Sequence, residues 1–177
     1  MTDMTEVRLR AAQVPDEILV TFGKVIAENG ARLGDRPAAT DETGTMSWAD
    51  FAALAARIAG RLAERGIGPG HRVASLSENS AAHLALYAGV LSAGACMVPL
   101  PFSASDEALA KMRADCGAEL LFTSAPQAPR AAALGAEVVA LEDLHAWAAG
   151  PEAAPRDVTP DDLFDIIYSS GTTGTPK

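Results

Sequence analysis

The residue types best suited to chemistry sit together at the end of this 177-residue sequence, in Ser169-Ser170-Gly171-Thr172-Thr173-Gly174-Thr175-Pro176-Lys177. Such a loop suits a polyphosphate. Gly171 and Gly174 have no Cβ, so the backbone can turn sharply and aim N–H groups at phosphate oxygens. Ser169, Ser170, Thr172, Thr173 and Thr175 add hydroxyl donors, and Lys177 brings a positive charge to the outer phosphates. The spacing differs from the common nucleotide P-loop, in which four residues separate the glycines and glycine directly precedes the lysine. Here two residues separate them, and Pro176 precedes Lys177. A flexible Ser/Thr/Gly tail is the plainer reading on composition alone. Against it stands the run Leu163-Phe164-Asp165-Ile166-Ile167-Tyr168, which reads as a buried strand feeding the loop.

No other constellation competes with it. His71, His83 and His145 lie far apart, without Cys or Asp partners at ligand spacing, so they read as core or surface histidines and no metal site is expected. Cys96 and Cys116 lack CxxC spacing and sit in apolar or helical patterns, which points to buried reduced thiols. Asp161-Asp162 reads as a solvated turn or helix start instead of a catalytic dyad, and Trp48 and Trp147 read as packing residues.

Fourteen Lys and Arg against 23 Asp and Glu give a formal net charge of −9. That balance repels a nucleic-acid backbone, so any phosphate ligand must be held locally. The first residues carry Asp3, Glu6, Arg8 and Arg10 and no apolar segment of signal-peptide type, which makes the cytoplasm the expected compartment. The stretch Asn79 to Ser105 has no charged residue but is broken by His83, Gly94, Pro99 and Pro101. It reads as a buried helix followed by a buried strand, and no transmembrane segment is expected.

The elements that must position the loop follow from periodicity. Residues 1–15 read as disordered, and 16–177 as one partial domain. Asp16 is placed to cap a helix with Ile18, Phe22, Val25 and Ile26 on one side, ending near Asn29-Gly30. A hairpin is predicted for 37–47, turning at Asp41-Glu42-Thr43-Gly44. Ser47 starts the clearest helix, with Phe51, Leu54, Ile58 and Leu62 at helical spacing and a stop at Gly66-Ile67-Gly68-Pro69. Strands near 73–76, 96–98, 119–123 and 137–140 then alternate with helices from about Ser80, Ser105, Pro129 and Glu142. Alternation of this kind argues for an α/β fold, a mostly parallel sheet flanked by helices. Gly150 to Thr159 reads as a surface connection before the final segment.

With these residues in place the sequence resembles the adenylate-forming acyl-activating enzymes, the AMP-dependent synthetase/ligase family, whose phosphate loop is closely matched by Tyr168-Ser169-Ser170-Gly171-Thr172-Thr173-Gly174-Thr175-Pro176-Lys177. Earlier landmarks fall in the family's order: Met46-Ser47-Trp48-Ala49-Asp50-Phe51, Gly66-Ile67-Gly68-Pro69-Gly70-His71-Arg72-Val73, Asn79-Ser80, and Ala93-Gly94-Ala95 to Val98-Pro99-Leu100. The resemblance implies the front part of the large N-terminal domain of the acyl-CoA synthetase/luciferase-like fold. It also implies a two-step ligase using ATP with Mg. A carboxylate attacks the α-phosphorus and releases pyrophosphate, and the acyl group then passes to a thiol, with CoA as co-substrate. Matching positions make Thr172, Thr173, Gly174, Thr175 and Lys177 phosphate contacts, with Ser169, Ser170 and Gly171 shaping the loop.

Family members run well beyond this length, so the acyl and adenine sites, the magnesium-binding glutamate, the hinge and the late catalytic lysine are expected downstream, and the chain alone is expected to be inactive. A small-molecule carboxylate and CoA are the expected partners of the parent enzyme, and a homo-oligomer is compatible with the sequence. Cys96-Met97 stands where peptide-synthetase domains more often have Gly-Tyr, and Ser169 where they more often have threonine, which favours a CoA ligase. The alternatives are an amino-acid-adenylating domain of a peptide synthetase and a non-catalytic α/β anion-binding module. A sheet cut at this point is also expected to leave an open edge and an apolar face.

Overall fold

The computed structural model describes residues 21–168. Six helices and six strands follow one another in that span. They are α1 (Phe22–Leu33), β1 (Pro37–Asp41), β2 (Gly44–Ser47), α2 (Trp48–Glu64), β3 (Arg72–Leu76), α3 (Ala81–Ser92), β4 (Cys96–Leu100), α4 (Asp106–Cys116), β5 (Leu120–Thr123), α5 (Ala128–Ala132), β6 (Glu137–Ala140) and α6 (Leu144–Trp147). Short 3₁₀ turns at Ala125–Gln127 and Leu141–Asp143 lead into α5 and α6. β1 and β2 form an antiparallel hairpin, and the other four strands form a parallel sheet in the order β4-β3-β5-β6.

Alternation along each central strand splits the interior into two cores. Val73, Met97, Leu120 and Phe122 pack with α1, α2, α3 and α6 on one face, while Ala74, Leu76, Val98, Leu100 and Leu121 pack with α4 and Ala131 of α5 on the other. A strand buried on both sides needs apolar residues at nearly every position, which is why these runs show no polar alternation. The expected α/β architecture is therefore present. On α2, Leu54, Ile58 and Leu62 lose all contact with solvent, each contributing about 1.5–3 kcal/mol of burial.

Caps set the helix starts. Ser47, Ser80 and Ser105 each accept a hydrogen bond from the N–H three residues on, at 3.1, 3.1 and 3.2 Å, satisfying an otherwise orphaned donor. Strand β4 runs on to Leu100 through Pro99. Met97 turns its N–H and C=O toward Phe164 and Ile166, away from β3. Pro99, two residues on, points its nitrogen to that same outer side, where β3 loses no hydrogen bond.

Several expectations need correcting. The first helix starts at Phe22, capped by Thr21, and continues through Gly30 to Leu33; Asp16 and Ile18, like the whole 1–15 segment, lie outside the described residues. Gly30 is not a terminus, because it sits where α1 crosses α2 and a Cβ there would collide with the Ala52 side chain. The buried face of α1 is Gly23, Ile26 and Gly30, leaving Phe22 and Val25 more than a third exposed. Between Gly150 and Thr159 the expected surface connection is present, and it is strapped to the helices: the Ala153 N–H reaches the Ala56 carbonyl at 3.0 Å and the Arg156 N–H the Ser92 carbonyl at 2.8 Å. Finally, Phe164–Tyr168 is not a buried strand. It meets β4 through one parallel bridge, Met97 with Asp165, and Leu163, Phe164 and Ile167 are 56%, 51% and 67% exposed. The segment lies at the sheet edge, and no described residue covers its outer side.

Asp41 joins the hairpin to the sheet layer. Its carboxylate accepts from the Thr43 N–H and hydroxyl at 2.8 and 2.6 Å, and from the Ala81 N–H at the start of α3 at 2.8 Å. The Thr43 hydroxyl bond, followed by the backbone N–H of Ala81, lowers its pKa from 3.8 to about 2. Because the folded value is depressed, this contribution is complete above about pH 4 and is lost as pH falls through about 2. Asp41→Ala is expected to lower the urea midpoint at pH 7 and to flatten its fall between pH 4 and 2. At the α2–α3 crossing a Cβ on Gly89 would stand 2.5 Å from Ile58 Cβ. Overpacking there exceeds the gain in helix propensity, so Gly89→Ala is expected to cost about 1–2 kcal/mol in urea unfolding.

Candidate nucleotide-phosphate site

In a parallel sheet every strand ends at one edge, where the helix N-termini also gather, and ligands bind at that edge. Here β3 leads to Ser77-Glu78-Asn79 and the Ser80 cap, β4 to Pro101 and the Ser105 cap, and β5 to Ser124. The Glu78 carboxylate ties two of these connections together by accepting from Ser124 Oγ at 2.5 Å and Gln127 Nε2 at 2.7 Å. These bonds, that of Ser124 first, lower the Glu78 pKa, so the group stays ionised at neutral pH.

The segment before the glycine-rich loop joins this edge from the outside of β4. Met97 donates its N–H to the Phe164 carbonyl at 3.1 Å and accepts from the Ile166 N–H at 2.9 Å, so the segment runs parallel to β4. Two tyrosines hold it from opposite faces of the sheet. Tyr87 on α3 donates its hydroxyl to Asp165 Oδ2 at 2.6 Å. The Tyr168 hydroxyl lies 2.7 Å from Asp115 Oδ2 and 3.0 Å from the Met112 carbonyl, both on α4. Burial first, then the carboxylate partner, raises the pKa of each phenol, so both remain donors. The residues expected to touch phosphate, Ser169, Ser170, Gly171, Thr172, Thr173, Gly174, Thr175 and Lys177, lie outside the described residues.

Two clefts border this framework. One, of about 470 Å³, lies between the hairpin and α3 and is lined by Thr40, Asp41, Asn79, His83, Tyr87 and Pro99. Its polar side chains are largely engaged already: His83 Nε2 lies 2.8 Å from Ser75 Oγ, and Asp41 occupies the start of α3. Burial lowers the His83 pKa, so the ring is neutral at pH 7. The other cleft, of about 410 Å³, is apolar and lined by Phe22, Val25, Leu91, Leu163 and Phe164. It includes Gly94 and Ala95, just before β4, and so opens at the sheet's amino end. Among the described residues no group of three or more His, Cys, Asp or Glu could hold a metal ion, and no helix is long and apolar enough to cross a membrane. Cys96 and Cys116 are buried free thiols, and burial pushes Cys96 up to about 11.

Sequence reasoning missed Tyr87, Asp165, Glu78 and Asp115. A signal existed for one of them: Asp165 is a lone charge between Phe164 and Ile166, and a carboxylate within an apolar run calls for a donor nearby. Tyr87, 78 residues earlier, carries no local mark of that role.

A family model described as AMP-binding enzyme matches residues 26–177. The chain is 35% identical over 159 residues to surfactin synthase subunit 1 of Bacillus subtilis (strain 168), covering 89% of this chain and 4% of that protein. It is 33% identical over 151 residues to pyochelin synthetase PchF of Pseudomonas aeruginosa, covering 85% of this chain and 8% of that protein. Among solved structures, the inhibitor-bound N-terminal domain of FACL13 from Mycobacterium tuberculosis has a TM-score of 0.78 at 28% identity, covering 89% of this chain and 43% of that one. The complex of VinN with 3-methylaspartate, at 24% identity and a TM-score of 0.80 over 89% of this chain and 46% of that one, shares the fold. The chain thus spans a small part of its curated relatives and under half of these solved chains. With its parallel sheet, its ordered landmarks and a family match running through Lys177, the chain belongs to the AMP-binding enzyme family.

Proposed function

We propose that this chain is the phosphate-gripping front part of an ATP-dependent, adenylate-forming ligase. The observation that carries the reading is the parallel docking of Phe164–Tyr168 on β4, which sends the chain toward the carboxyl edge just before the glycine-rich sequence. In the first half-reaction a carboxylate oxygen attacks the α-phosphorus, the bond from that phosphorus to the bridging oxygen breaks, and pyrophosphate leaves with the electron pair. Thr172, Thr173, Gly174, Thr175 and Lys177 hold the β- and γ-phosphates in line, while Ser169, Ser170 and Gly171 shape the loop. Their N–H, hydroxyl and ammonium groups take up charge as it builds on the leaving pyrophosphate. Magnesium would neutralise phosphate charge, and the described residues supply no cluster to hold it. With a net charge of −9, local donors are what make an anionic ligand tolerable.

The acceptor's thiol then gives up its proton and its sulfur attacks the acyl carbon, the bond from that carbon to the adenylate oxygen breaks and AMP leaves with the electron pair. The identity of the acceptor divides two readings. CoA is supported by Cys96-Met97 and Ser169 and by similarity, at 25% identity, to a fatty acyl CoA synthetase of Mycobacterium tuberculosis. A carrier protein loaded with an amino acid is supported by the 34% identity over 165 residues to CymA of Salinispora arenicola (strain CNS-205), a probable non-canonical nonribosomal peptide synthetase. The two buried free thiols fit a reducing cytoplasm.

The test is ATP–pyrophosphate exchange by the natural gene product, with panels of amino acids and of aliphatic and aromatic acids. Exchange is expected to depend on one carboxylate class, and Lys177→Ala is expected to reduce it about 100-fold. Exchange without any added carboxylate, or an unchanged rate in Lys177→Ala, would overturn the reading. Product analysis with CoA and with a carrier protein separates the two acceptors.

A further inference from the structure

The four strands of the parallel sheet end at one edge, and the connection after β5 is bonded to the connection after each of the other three. Ser124 Oγ and Gln127 Nε2 donate to the Glu78 carboxylate, after β3, at 2.5 and 2.7 Å. Arg130 reaches the connection after β4: its guanidinium donates to the Phe102 carbonyl and to Asp106 Oδ1, both at 2.6 Å, and to the Ala104 carbonyl. The Ala125 N–H donates to the Glu142 carboxylate, after β6, at 2.9 Å. Gln127 links the first two sets, because its Nε2 serves Glu78 while its Oε1 accepts from Arg130 Nη1 at 3.2 Å. Glu78, Ser124, Gln127 and Arg130 are all half-buried, where water weakens such bonds less than at an open surface. The stretch that carries these groups is stiff: Pro126 and Pro129 fix their own φ, and Ala131 is fully buried in the second core.

We propose that the stretch from Ser124 to Arg130 is a brace that makes the four connections at the carboxyl edge one opening unit, with Gln127 as the positioning residue through which the β3 and β4 connections are coupled. Connections that line a ligand edge are ordinarily among the first parts of a fold to open locally. Bonded through one stiff stretch, they open together, so each is protected by the bonds of the others. The edge is then held in one arrangement before a ligand arrives, which lowers the ordering cost of binding. The brace acts on the edge whatever ligand the edge takes. Its signature is transmission at a distance: among the described residues the Glu78 carboxylate bonds Ser124 and Gln127, yet weakening it loosens 101–105 as well.

The test exchanges the amide and the carboxylate in the natural gene product, with amide hydrogen exchange read by mass spectrometry over peptides spanning 77–84 and 101–109. Gln127→Glu sets a second carboxylate against Glu78, and Glu78→Gln sets two amides against each other, so that Gln127 can satisfy either its new neighbour or Arg130 but not both. Each single variant is expected to speed exchange about tenfold in both peptides, the loss of a bond to a charged group. The Glu78→Gln/Gln127→Glu double variant restores every pairing: Gln at 78 accepts from Ser124 and donates to Glu at 127, which also accepts from Arg130. Its exchange is expected to return to within about twofold of the wild type. Ser124→Ala, which removes one hydroxyl and no charge, repeats the comparison at about threefold. Unchanged exchange in 101–109 while Glu78→Gln or Ser124→Ala speeds 77–84, or unchanged exchange in both peptides, overturns the brace. A double variant as fast as the single ones overturns the role of Gln127.

Discussion

Burial of the parallel sheet on both faces is the constraint from which the rest of the structure follows. β3 pairs with β4 on one side and β5 on the other, and alternate residues of these strands enter two separate cores. Parallel pairing forces each connection to cross back over a face, so α3 and α4 return the chain to the same starting edge. The outcome is a polar edge of strand ends and capped helix starts, with Glu78, Ser80, Ser105 and Ser124 all on it. Charge on an anionic ligand can be met there by N–H groups without opening either core.

Close approach of helices makes the first core dense. Gly30 lies against Ala52 where α1 meets α2, and Gly89 lies against Ile58 where α3 meets α2. The strap between Gly150 and Thr159 then crosses the outside of the same helices, with Gly60 against the Pro151 carbonyl. Packing at backbone distance leaves little room for one helix to slide on another, so α3 is a stiff support for whatever it bonds.

That stiffness contrasts with the edge. Beyond β4 the chain is held by two backbone bonds, two tyrosine hydroxyls and one covered side, while Leu163, Phe164 and Ile167 face outward. Leu163 and Phe164, together with Phe22 and Val25, line one apolar surface on this side. Phe22 and Phe164 stack edge to face at 6.0 Å, so α1 shares in that surface. The same openness accounts for the low burial of a segment whose composition reads as interior.

Local chemistry written in the sequence was enough for the alternating strands and helices, for the serine cap at Ser47, for helix starts near Ser80 and Ser105 and for the turn at Asp41 to Gly44, because periodicity, capping and turn geometry depend on neighbours a few residues apart. Family membership was legible for the same reason, through short motifs in fixed order. Tertiary structure alone decided that Gly30 is a crossing point and not a helix end, that Phe22 and Val25 face outward, and that the run before the loop is an edge. It also decided that Tyr87 meets Asp165 and Tyr168 meets Asp115. Each of these depends on which surfaces meet across dozens of residues, and a sequence position carries no record of the distant side chain that will satisfy or cover it.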